Sequence, residues 1–307
     1  MPSYVGVKGS TVMCITAGPR NSWRPARNDW RVMWFGGQSE ELAFFGLVGP
    51  GQLLDTDKHA VIVIDPLGNG VSSSPDQTPG RFRFPTITIG DMVHSEHRLL
   101  TEILSITHVK AVMGYSMGGM QTFEWLVAYP DFLDKAVPIV GSPRSTGFET
   151  VNLGGQISAL EAADEPSRQL EGLKSASIQA TRAFWGPEFF AAMSPGEAED
   201  FAVVDLEANI AKGFGPQNWA LQTRATLRQD ISRQFGGDLA AAAAEVQAEV
   251  LVIVHERDGW NSPESALQFA DFVAADIIVL SGFCDHLSYF CGDSTIVDPA
   301  VSDFLEN

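Results

Sequence analysis

Cysteine is scarce in this chain: three in 307 residues, Cys14, Cys284 and Cys291. An odd number with no metal-ligand spacing argues against a disulfide framework and for a reducing compartment, hence a cytoplasmic location. Cys284 and Cys291 are accordingly expected to be small apolar residues. Positive charge is scarce as well, with 20 Lys and Arg against 38 Asp and Glu and a formal net charge of −18. That balance excludes nucleic acid and anionic membrane as partners, because both need basic patches. No apolar run approaches the roughly 20 residues that a spanning helix requires. Met1-Pro2-Ser3-Tyr4-Val5 shows neither a basic nor an apolar leader pattern, so no export signal is expected there. Internal repeats and low-complexity tails are absent too.

Histidine is limited to positions 59, 94, 97, 108, 255 and 286. His94 and His97 are three apart on a helix expected over 91–106. Glu96 falls off their face and no second cluster completes a ligand set, so a polar helix surface is expected rather than a metal site. Gly68-Asn69-Gly70-Val71 lacks the Lys-Ser/Thr that follows a phosphate loop and reads as plain loop. No metal or cofactor is expected.

What the chain does contain is alternation. Short β-branched runs at 11–16, 31–35, 60–64, 110–113, 136–140, 250–254 and 277–280 are separated by amphipathic stretches. The pattern predicts an α/β fold with a mostly parallel sheet flanked by helices. Between about 145 and 244 strand signals vanish. Helix formers dominate at 157–163, 175–184, 196–212 and 218–235, punctuated by Pro166, Pro187, Pro195 and Pro216. The expected organisation is a core of residues 1–144 and 245–307 with a helical cap over 145–244. Phe184, Trp185, Phe189, Phe190 and Trp219 are available to line a pocket there, but aromatics on amphipathic helices are more often core packing.

The chemistry is concentrated at Gly114-Tyr115-Ser116-Met117-Gly118-Gly119. A buried-strand run precedes this G-x-S-x-G pentad, and Met120, Phe123, Leu126 and Val127 follow at helical spacing. Strand, sharp turn and helix make a nucleophile elbow, which exposes the Ser116 hydroxyl. A serine needs a base, and the base needs an acid to orient it; in this setting the chain order is Ser, Asp or Glu, then His. Only His255 and His286 follow Ser116. His255 closes a strand, whereas His286 falls in the loop after the next one. Asp258 follows His255 in a turn-rich loop and is expected to be the acid. Asp285 is its rival; beside His286 on an extended backbone its side chain would point away, which predicts a solvated loop acid. Ser116, Asp258 and His286 would then come from three loops at one sheet edge. The oxyanion formed by attack on a carbonyl needs donors. The backbone N–H of Met117 is one candidate; Gly36 or Phe35, where the strand 31–35 ends, could supply the other, Gly36 being preferred because a residue without a side chain lets the substrate oxygen approach closely.

These motifs resemble the homoserine O-acetyltransferase family of α/β-hydrolase-fold acyltransferases. The likeness rests on Gly49-Pro50-Gly51-Gln52-Leu53-Leu54-Asp55-Thr56-Asp57, on 84–93, and on Gly118-Gly119-Met120-Gln121 with Glu124-Trp125 and Tyr129-Pro130-Asp131. Asp258-Gly259-Trp260 and His286 extend it. It implies an α/β-hydrolase fold with an inserted cap and acyl-enzyme chemistry through Ser116, Asp258 and His286. The chain departs from that family where a histidine-containing loop would follow 31–35, and in lacking the cap's Tyr-Arg helix that grips an amino-acid substrate. The expectation is therefore a carboxylic-ester hydrolase, with an O-acyltransferase using an acyl thioester as the alternative. The partner would be a small-molecule ester or thioester. Oligomeric state is left open, a homodimer being one option.

Overall fold

The computed structural model describes residues 3–7, 11–17, 31–35, 48–55, 57–80, 84–162, 168–204, 206 and 215–307. Among these, eight strands form one sheet in the order β1-β2-β4-β3-β5-β6-β7-β8. They are β1 (Ser3–Val7), β2 (Thr11–Ala17), β3 (Arg31–Phe35), β4 (Ala60–Ile64), β5 (Val109–Tyr115), β6 (Leu133–Ile139), β7 (Glu249–His255) and β8 (Asp276–Leu280). The pairs β1/β2 and β2/β4 are antiparallel; from β4 onward every pair is parallel. The seven β-branched runs are all strands, and β1 is an addition at the antiparallel edge.

Alternate strand residues feed opposite faces, as the two-residue repeat requires. Val112, Val250, Val252 and Val254 pack with Val93 of α1 (Ile89–Arg98), Phe123 and Trp125 of α2 (Met117–Ala128) and Phe269 from a later helix. Ala111, Met113, Leu251 and Ile253 face the other way, against Val297, Val301 and Leu305 near the carboxyl end. Near-continuous apolar strands are what a parallel sheet covered on both faces needs.

Between β6 and β7 the regular elements described are all helical: α3 (Gly147–Glu161), α4 (Gln169–Phe184), α5 (Pro187–Phe190), α6 (Pro195–Val203), α7 (Pro216–Leu227) and α8 (Leu239–Ala243), along with a short 3-10 turn over 233–235. Helix α3 begins ten residues before the expected 157. Its first turn is fixed by Thr146 and Glu149, which cap each other's backbone. Gly147, Gly154 and Gly155 had masked that helix in the sequence. After β7 come α9 (Glu264–Val273) and α10 (Ser294–Glu306), which carry Phe269 and the Val297–Leu305 face. The helix expected over 91–106 is instead α1 followed by a wider turn at 99–103.

The end of β5 is where glycine is indispensable. A Cβ on Gly114 would lie 2.1 Å from the Gly118 carbonyl oxygen, so strand and helix can touch only without one. The same holds for Gly119, where a Cβ would meet Gly141 Cα at 2.9 Å.

Candidate active site

Ser116 sits between β5 and α2 with φ 56° and ψ −116°, a backbone conformation that L side chains rarely adopt. Its amide donates to Ile139 O at 2.8 Å, tying the strained residue to β6. The turn leaves Ser116 partly exposed, whereas Tyr115 before it is buried. β5, β7 and β8 run in the same direction, so the segments after Tyr115, His255 and Leu280 emerge at one edge of the sheet.

Three side chains meet there. His286 Nε2 lies 2.8 Å from Ser116 Oγ, and His286 Nδ1 lies 2.7 Å from Asp258 Oδ2. A carboxylate can only accept, so Nδ1 carries the proton, and Nε2 is left to accept from the serine hydroxyl. His286 and Asp258 side chains are each 1% exposed, which shields this pair from solvent competition. The other Asp258 oxygen accepts from the amides of Trp260 (2.8 Å) and Asn261 (2.9 Å), so the carboxylate cannot rotate away. Asn261 Nδ2 in turn donates to Val140 O at 2.8 Å.

The alternatives considered from the sequence go elsewhere. His255 accepts from the Arg257 amide at Nδ1 and donates from Nε2 to Gly282 O at 2.9 Å, which occupies both ring nitrogens with backbone. Asp285 does not reach the imidazole of its neighbour, but neither is it the solvated acid expected. Its backbone is left-handed rather than extended, with φ 43°. The side chain is turned inward against Gly186 and toward Arg257, with Nε to Oδ1 at 3.5 Å. Burial raises its pKa above the usual aspartate value. His97 stacks on Tyr129 at 3.7 Å between centroids, within an aromatic group that includes Trp125 and Phe132. That placement corrects the polar-surface expectation for His97, and no metal-binding cluster occurs among the described residues.

Met117 is the first residue of α2, and a helix's first amides have no intrahelical acceptor. Phe35, at the end of β3, pairs with Gly114 beside the elbow. Gly36, the other expected oxyanion donor, lies outside the described residues.

Several contacts escaped sequence reasoning. Phe184, at the end of α4, stacks on His286 at 5.3 Å and on Trp260 at 4.2 Å, so this aromatic reaches the site and is not only packing. Asn152 Nδ2 donates to Gly259 O at 2.8 Å, and Glu149 Oε1 accepts from the Ser262 amide at 2.8 Å. Helix α3 therefore holds the Asp258 loop at two points. The turn bearing His286 is closed by a disulfide between Cys284 and Cys291, with Cα atoms 6.2 Å apart. This overturns the expectation of unpaired thiols and removes the premise for a reducing, cytoplasmic compartment. No described helix is long and apolar enough to cross a membrane.

Comparison with known proteins bears on the fold and the family. The sequence profile of the α/β hydrolase fold matches residues 44–293. An ethyl acetate hydrolase from Pseudomonas veronii is 30% identical, over 89% of this chain and 82% of that one. A homoserine O-acetyltransferase from Methanococcoides burtonii is 34% identical over 71% of this chain but only 50% of its own length. Among solved structures, an acetylester hydrolase from Corynebacterium glutamicum superposes with a TM-score of 0.85 at 23% identity, covering 97% of this chain and 90% of that one, a likeness of fold. The chain belongs to the α/β-hydrolase fold family of enzymes, with relatives on both its ester-hydrolase and its homoserine-acyltransferase side.

Proposed function

We propose that the protein is a carboxylic-ester hydrolase that works through an acyl-Ser116 intermediate. The observation that carries this reading is the unbroken chain from Ser116 Oγ through the His286 imidazole to Asp258 Oδ2, with contacts of 2.8 and 2.7 Å. In the first half-reaction Ser116 Oγ attacks the ester carbonyl carbon as its proton passes to His286 Nε2. The Met117 amide stabilises the resulting oxyanion. Collapse breaks the carbon–oxygen bond to the alcohol, and His286 returns the proton to that leaving oxygen. Water then attacks the acyl-enzyme and gives a proton to His286. Ser116 Oγ departs with that proton and the carboxylic acid is released. Asp258 holds the imidazole in the required tautomer and stabilises its cation through both half-reactions. In this reading residues 145–244 form the cap over a core of 1–144 and 245–307.

Hydrolysis is favoured over transfer by the ester-hydrolase relative, which aligns over 82% of its own length against 50% for the acyltransferase, and two of the cap arginines are already engaged within the cap. A transferase for a zwitterionic amino acid would need a guanidinium to fork its carboxylate. Arg224 is paired with Glu161 across α7 and α3, and Arg233 donates to Arg228 O at 2.6 Å. The ethyl acetate hydrolase relative points to short acyl groups as the substrates to try first. Intact-mass measurement after mixing with p-nitrophenyl acetate should show an acetyl adduct in the wild type and none in Ser116→Ala. Product analysis with acetyl-CoA and L-homoserine should give no O-acetylhomoserine above background. Homoserine-dependent consumption of acetyl-CoA would make the protein an acyltransferase instead.

A further inference from the structure

Tyr115 is the residue immediately before Ser116, and the triad does not account for it. Its side chain faces the α10 side of the sheet, 8% exposed, and its hydroxyl donates to the backbone carbonyl oxygen of His286. The ring lies edge-on to the His286 imidazole at 5.9 Å and packs against Tyr289 at 6.2 Å and Phe290 at 5.3 Å. Burial and the nearby Asp258 carboxylate hold the phenol's pKa well above its ordinary value, so the hydroxyl remains a donor.

We propose that Tyr115 is the positioning residue for His286, fixing the main chain of the base to the same strand end that presents the nucleophile. The proposal rests on the triad reading. Two anchors define where the imidazole lies: Asp258 holds Nδ1, and Tyr115 holds the backbone from which the ring projects. The second anchor matters because the supporting turn is irregular, with Asp285 at φ 43° and a kink at Leu287. Residues 115 and 116 are adjacent, so a shift of the strand end moves nucleophile and anchor together. The 2.8 Å contact between Ser116 and His286 is thereby preserved. Loss of the anchor frees the turn to move relative to Ser116, and a misplacement of about 1 Å can cost about 10²-fold in rate.

The test uses Tyr115→Phe, which keeps the ring and removes the donor. Its control is Tyr289→Phe, whose lost hydroxyl bonds Asp298 on α10 rather than the histidine. Three readouts apply: steady-state kinetics on p-nitrophenyl acetate, the rate of fluorophosphonate labelling at Ser116, and the low-field proton resonance of His286 Nδ1–H. In Tyr115→Phe, kcat should fall about 10- to 100-fold with KM within about twofold, the pattern of an interaction needed only for the transition state. Labelling should slow in proportion, and the resonance should move or broaden. All three should stay near wild type in Tyr289→Phe. Wild-type kcat and resonance in Tyr115→Phe, or equal losses in both variants, would overturn the assignment. A wild-type protein that fails to label at Ser116 would instead overturn the triad reading, and this proposal with it.

Discussion

Replacing Glu96 with glutamine should make the protein more stable at neutral pH, although it removes a charge-bearing group packed beneath the helix that follows Ser116. Glu96 lies on α1, fully buried, where one carboxylate oxygen accepts from Trp125 Nε1 at 3.2 Å and the other has no hydrogen-bond partner among the described residues. Trp125 belongs to α2, the helix that starts at the elbow. Burial pushes the Glu96 pKa from 4.5 up to about 8, the Trp125 hydrogen bond opposing it only in part. The native state thus holds a proton that the unfolded chain has released, and linkage makes stability fall as pH rises between those two values. The contribution is fully present below pH 4.5 and is gone once the pH passes about 8. At about 1.36 kcal/mol per unit, keeping the carboxyl protonated at pH 7 costs about 3 kcal/mol.

The amide introduced by Glu96→Gln keeps an acceptor for Trp125 and has no proton to lose. The stability difference between Glu96→Gln and wild type should therefore widen by about 1.4 kcal/mol per pH unit from pH 5 to pH 8. Urea unfolding followed by tryptophan fluorescence at pH 5, 6, 7 and 8 measures it. Two parallel stability curves would mean that Glu96 ionises in the folded protein as it does in the unfolded chain, and the reasoning would be refuted.

The site supplies two further expectations. Asp258→Asn should lower turnover by about 10⁴-fold, the scale known for loss of the tautomer-fixing acid in serine proteases. Asp285→Asn, whose carboxylate faces Gly186 and Arg257, should lose far less; a larger loss in Asp285→Asn with folding intact would reassign the acid. The double variant Cys284→Ser/Cys291→Ser should lose about 2.5 kcal/mol of stability, from the entropy of opening a loop of about eight residues. Denaturant midpoints measured with and without a dithiol test this, because the reductant should destabilise the wild type and leave the variant unchanged.

The candidate triad was legible because each member follows a strand end, and strand ends are written in short apolar runs. The runs before Ser116, Glu256 and Ser281 all read as strands, the first two buried and the last a largely exposed edge strand, and a parallel sheet delivers their carboxyl ends to one edge. The glycines at 114 and 119 added a steric signature, since no other residue tolerates the Gly118 and Gly141 backbones so close. Asp285 was misread for a local reason: an extended backbone would have turned it away from the fold, but its positive φ turns it inward. The disulfide was misread because an odd cysteine count speaks to the whole chain, not to two residues brought together by a turn. Cys284 and Cys291 lie 6.2 Å apart at Cα, within bridging range.

What the sequence could not convey is the support the helices between β6 and β7 give to the loops of the candidate site. Glu149 lies ahead of the helix expected from 157 and caps α3, and its second oxygen accepts from the Ser262 amide. Asn152, one turn later, binds Gly259 O, and Phe184 at the end of α4 covers the His286 ring. The contacts of Glu149 and Asn152 span more than a hundred residues, and neither has a periodicity that could announce them. Their consequence is that the proposed acid and base are held from both sides, by the sheet through Tyr115 and Val140 and by the helices through α3 and α4. In the proposed reaction a shift of α3 would be carried to Asp258 through Glu149 and Asn152, and a shift of α4 to His286 through Phe184. Changes at Glu149, Asn152 and Phe184 should therefore lower turnover although none of them is a member of the proposed triad, which steady-state kinetics on p-nitrophenyl acetate measures.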